Sequence, residues 1–208
     1  MEFYEAVSAR HTVRDFLDEP VDDAVLRRIL SAGMKAPTND HLRSWHFIVV
    51  RDKETVLRLL REIPEEFSRE EVDAVLRDWN LNDPCQRRAY QNAIPTQHRM
   101  LAQAACVIVP LFLCTTDLMH PASLSHLNGL ASIWCCLENI FLASAAEGLG
   151  CALRIPLGDE AEWARSVLGF PAEYRMPCFV ALGKPDDHAA PIAQKEYDLS
   201  QRLHFDRW

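Results

Sequence analysis

The stretch LASIWCCLENIFLASAAEGLG, residues 130–150, organises the chain around it. Across residues 130–146 apolar side chains fall on nearly every side of a 3.6-residue period, which predicts a helix that is buried all round. The helix is expected to begin near residue 123. Gly148-Leu149-Gly150 stops it, and residues 151–155 lead back into a strand. Three apolar runs, 45–50 (WHFIVV), 106–115 and 178–183 (CFVALG), read as buried strands, and Pro110 predicts an edge or a bulge in the second. Shorter helices are expected over residues 3–8, 22–34, 54–62, 65–79, 92–105 and 160–168, with 80–84 turn-like. Strands alternate with helices but are too few for a doubly wound sheet. The expected fold is therefore α+β, a central sheet flanked by helices in one domain, 1–208.

Hydrophobic residues make up 49% of the 208 and charged residues 25%, enough for a core that needs neither disulfides nor metal. A formal charge of −8 argues against non-specific binding to nucleic acid or to an anionic membrane. The seven cysteines form no C-x-x-C pair and mostly sit in apolar runs, as small buried hydrophobes in a reducing compartment do. Residues 1–16 do not read as a leader. Pro110, or Glu138 and Asn139, interrupt the apolar stretches short of the ~20 residues of a membrane span. A cytoplasmic protein with no membrane partner is the expectation. Residues 184–208 lack core-like periodicity yet carry Leu203, Phe205 and Trp208, so this tail is expected to lie against its own subunit or a partner.

Two polar segments concentrate the chemistry. SARHTVRDF, residues 8–16, sets Arg10 and Arg14 four apart, with His11 and Thr12 between them. Guanidinium forks make charge-assisted bonds to phosphate oxygens, and the Thr12 hydroxyl adds a neutral donor. A phosphomonoester carries about −1.5 to −2 charges near neutral pH, which two arginines roughly balance. A solvated basic turn is the alternative. APTNDHLRSWHFIVV, residues 36–50, joins a helix end to a strand through a loop where Thr38, Asn39, His41 and Arg43 offer donors and acceptors to the edge of a heterocycle. A plain connection is the alternative there. No G-x-G-x-x-G turn and no G-x-S-x-G motif occurs. His120, His126 and Asp117 lack a further ligand at credible spacing, so no metal is expected.

In this order and separation the segments resemble the FMN-dependent nitroreductase family. Its opening R-R-S-x-R-x-F is matched by Arg10-His11-Thr12-Val13-Arg14-Asp15-Phe16, and its A-P-S-x-x-N-x-Q-P-W by Ala36-Pro37-Thr38-Asn39-Asp40-His41-Leu42-Arg43-Ser44-Trp45. ENIFLASAAEGLG, the loop Arg154-Ile155-Pro156-Leu157-Gly158, the strand FVALGKP and the late Lys195 follow the family's pattern, so the resemblance covers nearly the whole chain.

The resemblance implies a three-layer fold with a central mixed sheet in an intertwined homodimer, with an apolar interface on the order of 2,000 Å² or more. It implies that Arg10, His11, Thr12, Arg14 and Lys195 hold the FMN phosphate and ribityl chain, His11 through backbone or a pH-sensitive hydrogen bond. Pro37, Thr38, Asn39 and His41 would approach the flavin from the other subunit, and Ile155, Pro156, Leu157 and Gly158 would lie along its ring. The flavin would carry the chemistry, taking a hydride from NADH or NADPH and passing it to a small electron-poor acceptor by a ping-pong scheme. The chain departs from the pattern at His41, Arg43, Ser44 and Pro156. Arg43 is a possible substrate contact, or else faces solvent or pairs with Asp40; Pro156 removes a backbone donor. The alternatives on the same residues are a non-catalytic flavin carrier or sensor, and a nucleotide-phosphate protein without flavin.

Overall fold

The computed structural model describes residues 1–189 and 195–208. Four strands lie side by side in the order β1 (Trp45–Val50), β2 (Cys106–Leu113), β5 (Phe179–Gly183) and β3 (Gly150–Arg154). A two-residue strand, β4 (Tyr174–Arg175), pairs with the far end of β2. Side chains alternate across this sheet. Val107, Val109 and Leu111 of β2 join Phe179 and Ala181 of β5 in one core, while Cys106, Ile108, Phe112, Val180 and Leu182 join the other. Burial on both faces explains why these strands read as continuous apolar runs.

Over the first face pack α3 (Lys53–Leu59), α6 (Gln97–Gln103) and α8 (Glu160–Leu168), through Val56, Leu59, Met100, Leu101 and Ala164. Over the second pack α2 (Asp23–Gly33) and α7 (Asn128–Ala146), through Leu26, Ile29, Ile133, Leu137 and Ile140. The result is the expected α+β layering. Every ladder is antiparallel, and the parallel part of the expected mixed sheet is confined to one bridge, Thr12 to Cys151.

Three expectations change. Pro110 stands in an interior strand, not at an edge. It faces Phe47 of β1, but on its other side the β5 pairing ends at Ile108 and the β4 pairing begins at Phe112. The proline thus falls in the gap between two partners, where its missing N–H costs no ladder bond. Secondly, the region before α6 is more helical than its polarity suggests. After α4 (Arg69–Asp78), which starts four residues later than its charge pattern implies, α5 (Pro84–Ala93) begins after five residues, and a 3₁₀ turn at Ile94–Thr96 separates it from α6. Asp83 accepts from the amides of Cys85 and Gln86, and Pro84 takes the first helical position, so capping starts a helix that has no apolar stripe.

Thirdly, α7 is buried on one side only within the chain. Ile133, Cys136, Leu137, Ile140 and Ser144 are buried, whereas Ala131, Cys135 and Glu138 are exposed and Phe141 and Leu142 are only partly covered. With the turn before it, this helix is long and apolar enough by composition to cross a membrane, but here it packs on α1 (Phe3–Ala9), α2 and the sheet.

The chain between α1 and α2 is seated by two glycines. Gly150 and Gly183 face each other across β3 and β5. Val13 rests on the first, with its Cβ 2.6 Å from where a Gly150 side chain would begin, and Phe16 rests on the second at 3.0 Å. Val13 N–H donates to the Cys151 carbonyl (3.0 Å) and Leu17 N–H to that of Lys184 (2.9 Å). Gly150→Ala should therefore cost about 1–3 kcal/mol by overpacking, read as a lower urea midpoint; an unchanged midpoint would mean that the segment sits elsewhere.

Burial also sets the state of the core thiols. It pushes Cys106 up to about 11 and Cys136 and Cys151 up to about 12, and it raises Cys178 as well. In the unfolded chain thiols ionise near about 8.5. The stabilisation from keeping them neutral is thus complete below that pH and is lost as pH climbs towards the folded values. Native protein at pH 8 should leave these four unalkylated by iodoacetamide and yield them in urea, as mass mapping of the labelled sites would report.

Candidate functional site

Beyond α1, residues 10–14 run alongside β3 in extended form, and extended chain alternates its side chains. Arg10, Thr12 and Arg14 therefore face one way, into a cavity of about 890 Å³. Val13 faces the core, and His11 faces away with it, its Nδ1 donating to the Ala9 carbonyl (2.8 Å). The sequence groups His11 with the phosphate residues; the structure separates it from them.

The cavity has a basic end and an aromatic end. At the basic end Arg10 lies 4.0 Å from Glu138 of α7. Arg14 is the unusual group. Its Nε is buried with no hydrogen-bond partner among the described residues, and burial pulls its pKa below the ordinary value, against the pull of Tyr90 and Asp15. A guanidinium in that state lacks an anion. At the other end Phe67, Val75, Trp79, Tyr90 and Ile94, from α4, α5 and the chain around them, form an apolar wall. Trp79 and Tyr90 meet edge to face with centroids 5.6 Å apart.

Further along β3 the floor holds Arg154, which in the sequence stands only as the start of a loop. It is 7% exposed and paired with Glu160, the first residue of α8, which is buried with it. Arg154 Nε donates to Glu160 Oε2 at 3.0 Å, Nη2 donates to Oε1, and the Leu157 N–H also donates to Oε2 at 3.2 Å. The signal for this pair was an arginine six residues before a glutamate across a strand–turn–helix. Ile155 and Leu157 line the cavity; Pro156 and Gly158 belong to the same loop but do not line it.

The second polar loop sits elsewhere. Asn39 N–H donates to Ser132 Oγ (3.1 Å) and Asn128 Nδ2 donates to Asn39 Oδ1 (3.3 Å), which fixes the loop at the beginning of α7. Glu138, beside Arg10, is ten residues further along that helix, about 15 Å at 1.5 Å per residue. Pro37, Thr38, Asn39, His41 and Arg43 thus do not reach the cavity of their own chain. Asp40, His41 and Arg43 all have positive φ (51°, 55° and 41°), and the Arg43 N–H donates to Thr38 Oγ1 (3.3 Å). Of the alternatives for Arg43, the pair with Asp40 is absent among the described contacts; Asn39 Nδ2 donates to Asp40 instead (2.9 Å). Lys195 is held by Asp83 at 2.7 Å, outside the cavity lining, and residues 190–194 of the tail lie outside the described residues.

Known proteins share this architecture. Iodotyrosine deiodinase, in a structure bound to FMN and 3-iodo-L-tyrosine, superposes with a TM-score of 0.75 at 17% identity, covering 100% of each chain. An FMN-dependent nitroreductase of Clostridium difficile R20291 gives 0.66 at 20% identity over 98% of each. In sequence, an NADH dehydrogenase of Thermus thermophilus is 28% identical over 202 residues, 89% of this chain and 88% of that protein. Residues 7–184 match the Nitroreductase family, a span running from the end of α1 past β5, and the chain belongs to that family.

Proposed function

We propose that the protein is an FMN-dependent oxidoreductase that uses NAD(P)H to reduce a small electron-poor acceptor, such as a nitroaromatic or a quinone, with both substrates using one pocket in turn. The observation that carries this reading is the buried, unpartnered Nε of Arg14 in a cavity that is basic at one end and aromatic at the other. A phosphate supplies the missing anion and a flat heterocycle suits the apolar wall. Arg10, Thr12 and Arg14 would hold the phosphate and ribityl chain, and the loop with Ile155 and Leu157 would lie against the ring. His11, which faces away, and Lys195, committed to Asp83, are left out of this set. Bound FMN would supply a two-electron carrier that accepts a hydride from the nicotinamide and donates one to the acceptor.

The working unit in this reading is a homodimer. The uncovered side of α7 and the exposed Phe3, Tyr4, Leu203, Phe205 and Trp208 support this reading, since they are apolar side chains that a second copy would cover. Pairing through α7 would carry the 37–43 loop of one chain towards the cavity of the other. Two details favour the second reading, a flavin carrier without turnover: Pro156 has no N–H, and the Leu157 N–H is spent on Glu160.

Three measurements separate these readings. Purified protein should show an FMN spectrum that bleaches anaerobically with NADH or NADPH; a yellow protein inert to both would be the carrier. Arg14→Ala should weaken FMN binding by about 2–5 kcal/mol if the charge pair is buried, and an unchanged affinity would move the phosphate elsewhere. Sedimentation at micromolar concentration should give a dimer, and a monomer would leave the 37–43 loop without a role.

A further inference from the structure

Resting on the FMN reading above, we infer that Trp79 and Tyr90 form the acceptor's half of this cavity and select uncharged aromatic rings, turning away acceptors that carry a carboxylate or a sulfonate. The first ground is where the two rings stand. Trp79 closes α4 and Tyr90 belongs to α5. These helices have a small core of their own, built from Val72, Leu76 and Ile94 with Phe67, Val75 and Leu81 packed against it. Neither Trp79 nor Tyr90 belongs to that core. They are 44% and 39% exposed and line the cavity instead. Two large rings that serve no core, yet stand on a cavity wall, offer their surface to a ligand.

The second ground is shape and polarity. The rings meet at 84° with centroids 5.6 Å apart, which makes a nearly right-angled corner. A flat ring can stack on one wall and present its edge to the other, the two arrangements that aromatic pairs favour. Neither the Trp79 indole N–H nor the Tyr90 hydroxyl donates a hydrogen bond among the described residues. Both can donate to an oxygen carried by the ring, such as a quinone carbonyl or a nitro group. Gln97 adds a third polar side chain at this end, with its amide nitrogen committed to the Ala93 carbonyl (3.0 Å). All three are uncharged at neutral pH.

The third ground is charge. The charged side chains that line the cavity are Arg10, Arg14, Arg154 and Glu138, and Arg154 is already paired with Glu160. Three arginines against two glutamates leave one net positive charge. A phosphomonoester brings about −1.5 to −2, which turns the sum negative. With the phosphate in place Arg14 has its anion, and no cation is left over for the acceptor. One excess negative charge about 10 Å away, at an effective dielectric of about 20, disfavours an anionic ring on the order of tenfold.

The test is the affinity of the oxidised, FMN-loaded protein for nitrobenzene against nitrobenzoate, and for menadione with and without a sulfonate, read from the change in flavin absorbance. Binding is measured instead of turnover, so differences in acceptor potential do not enter. The neutral member of each pair should bind about tenfold more tightly at low salt, and added salt should narrow the gap. Trp79→Lys puts a cation in the corner and should invert the preference while FMN affinity stays at the wild-type value. Tyr90→Leu keeps an apolar side chain but loses one ring face, and should weaken both members of each pair by about fivefold. Equal affinities within both pairs overturn the inference and leave the FMN reading standing. Tighter binding of the anionic members does so too, and points to a cation carried to the ring by Arg43 of a second copy. A Trp79→Lys protein that melts normally but loses FMN also overturns it, since the corner would then serve the cofactor. Wild-type protein that takes up no FMN overturns the FMN reading itself, and this inference with it.

Discussion

Much of this molecule depends on the absence of two side chains. Gly150 and Gly183 face each other on neighbouring strands, and their bare backbone lets residues 10–16 settle directly onto the sheet. The contact sets the register of everything after it. Once Val13 is fixed against Gly150, the alternation of extended chain leaves no choice about which way Arg10, Thr12 and Arg14 point. A turn of the segment by one residue would send both arginines into the core and Val13 into water. The basic end of the cavity is thus a by-product of packing, held by apolar contact and three backbone hydrogen bonds, at Val13, Asp15 and Leu17, rather than by any hydrogen bond to the arginine side chains.

That arrangement separates stability from function along one short stretch. Val13 and Phe16 hold the segment in place, while Arg10, Thr12 and Arg14 turn polar groups into a space lined by Phe67, Trp79 and Tyr90. The floor works differently. Arg154 and Glu160 satisfy each other where Arg14 is left wanting, so the cavity contains one balanced guanidinium and one unbalanced one within a few residues' reach. A buried ion pair gives little net stability. Its use is directional, because two bonds from one carboxylate fix the plane of the guanidinium.

How far the sequence could be read follows from which forces act locally. The apolar runs of β1, β2 and β5 announce themselves, because a strand buried on both faces has no polar positions to blur it. The start and end of α8 are equally plain, with acidic residues in the first turn and Gly169 in the left-handed conformation at its close. α5 was hidden, since Asp83 and Pro84 define it and its own residues carry no stripe. β4 was hidden because two residues form a strand only when β2 is already there to receive them. Within the site, the arginines at 10 and 14 were legible from spacing, but His11 was not separable from them without knowing that the segment is extended. The pairing of Arg154 with Glu160 depends on the angle between β3 and α8, which no local pattern encodes. Pro110 reads as an edge or a bulge because the sequence cannot show that one strand changes partners halfway along.

The loop after α2 bends in a way that side chains resist. Asp40, His41 and Arg43 all adopt left-handed backbone, within four positions and without a glycine among them. Each such residue costs on the order of 1 kcal/mol, and glycine would relieve it at any of the three. Residues 40–43 therefore present their polar side chains from a strained backbone, and the loop holds a reserve of folding free energy that glycine substitutions would release.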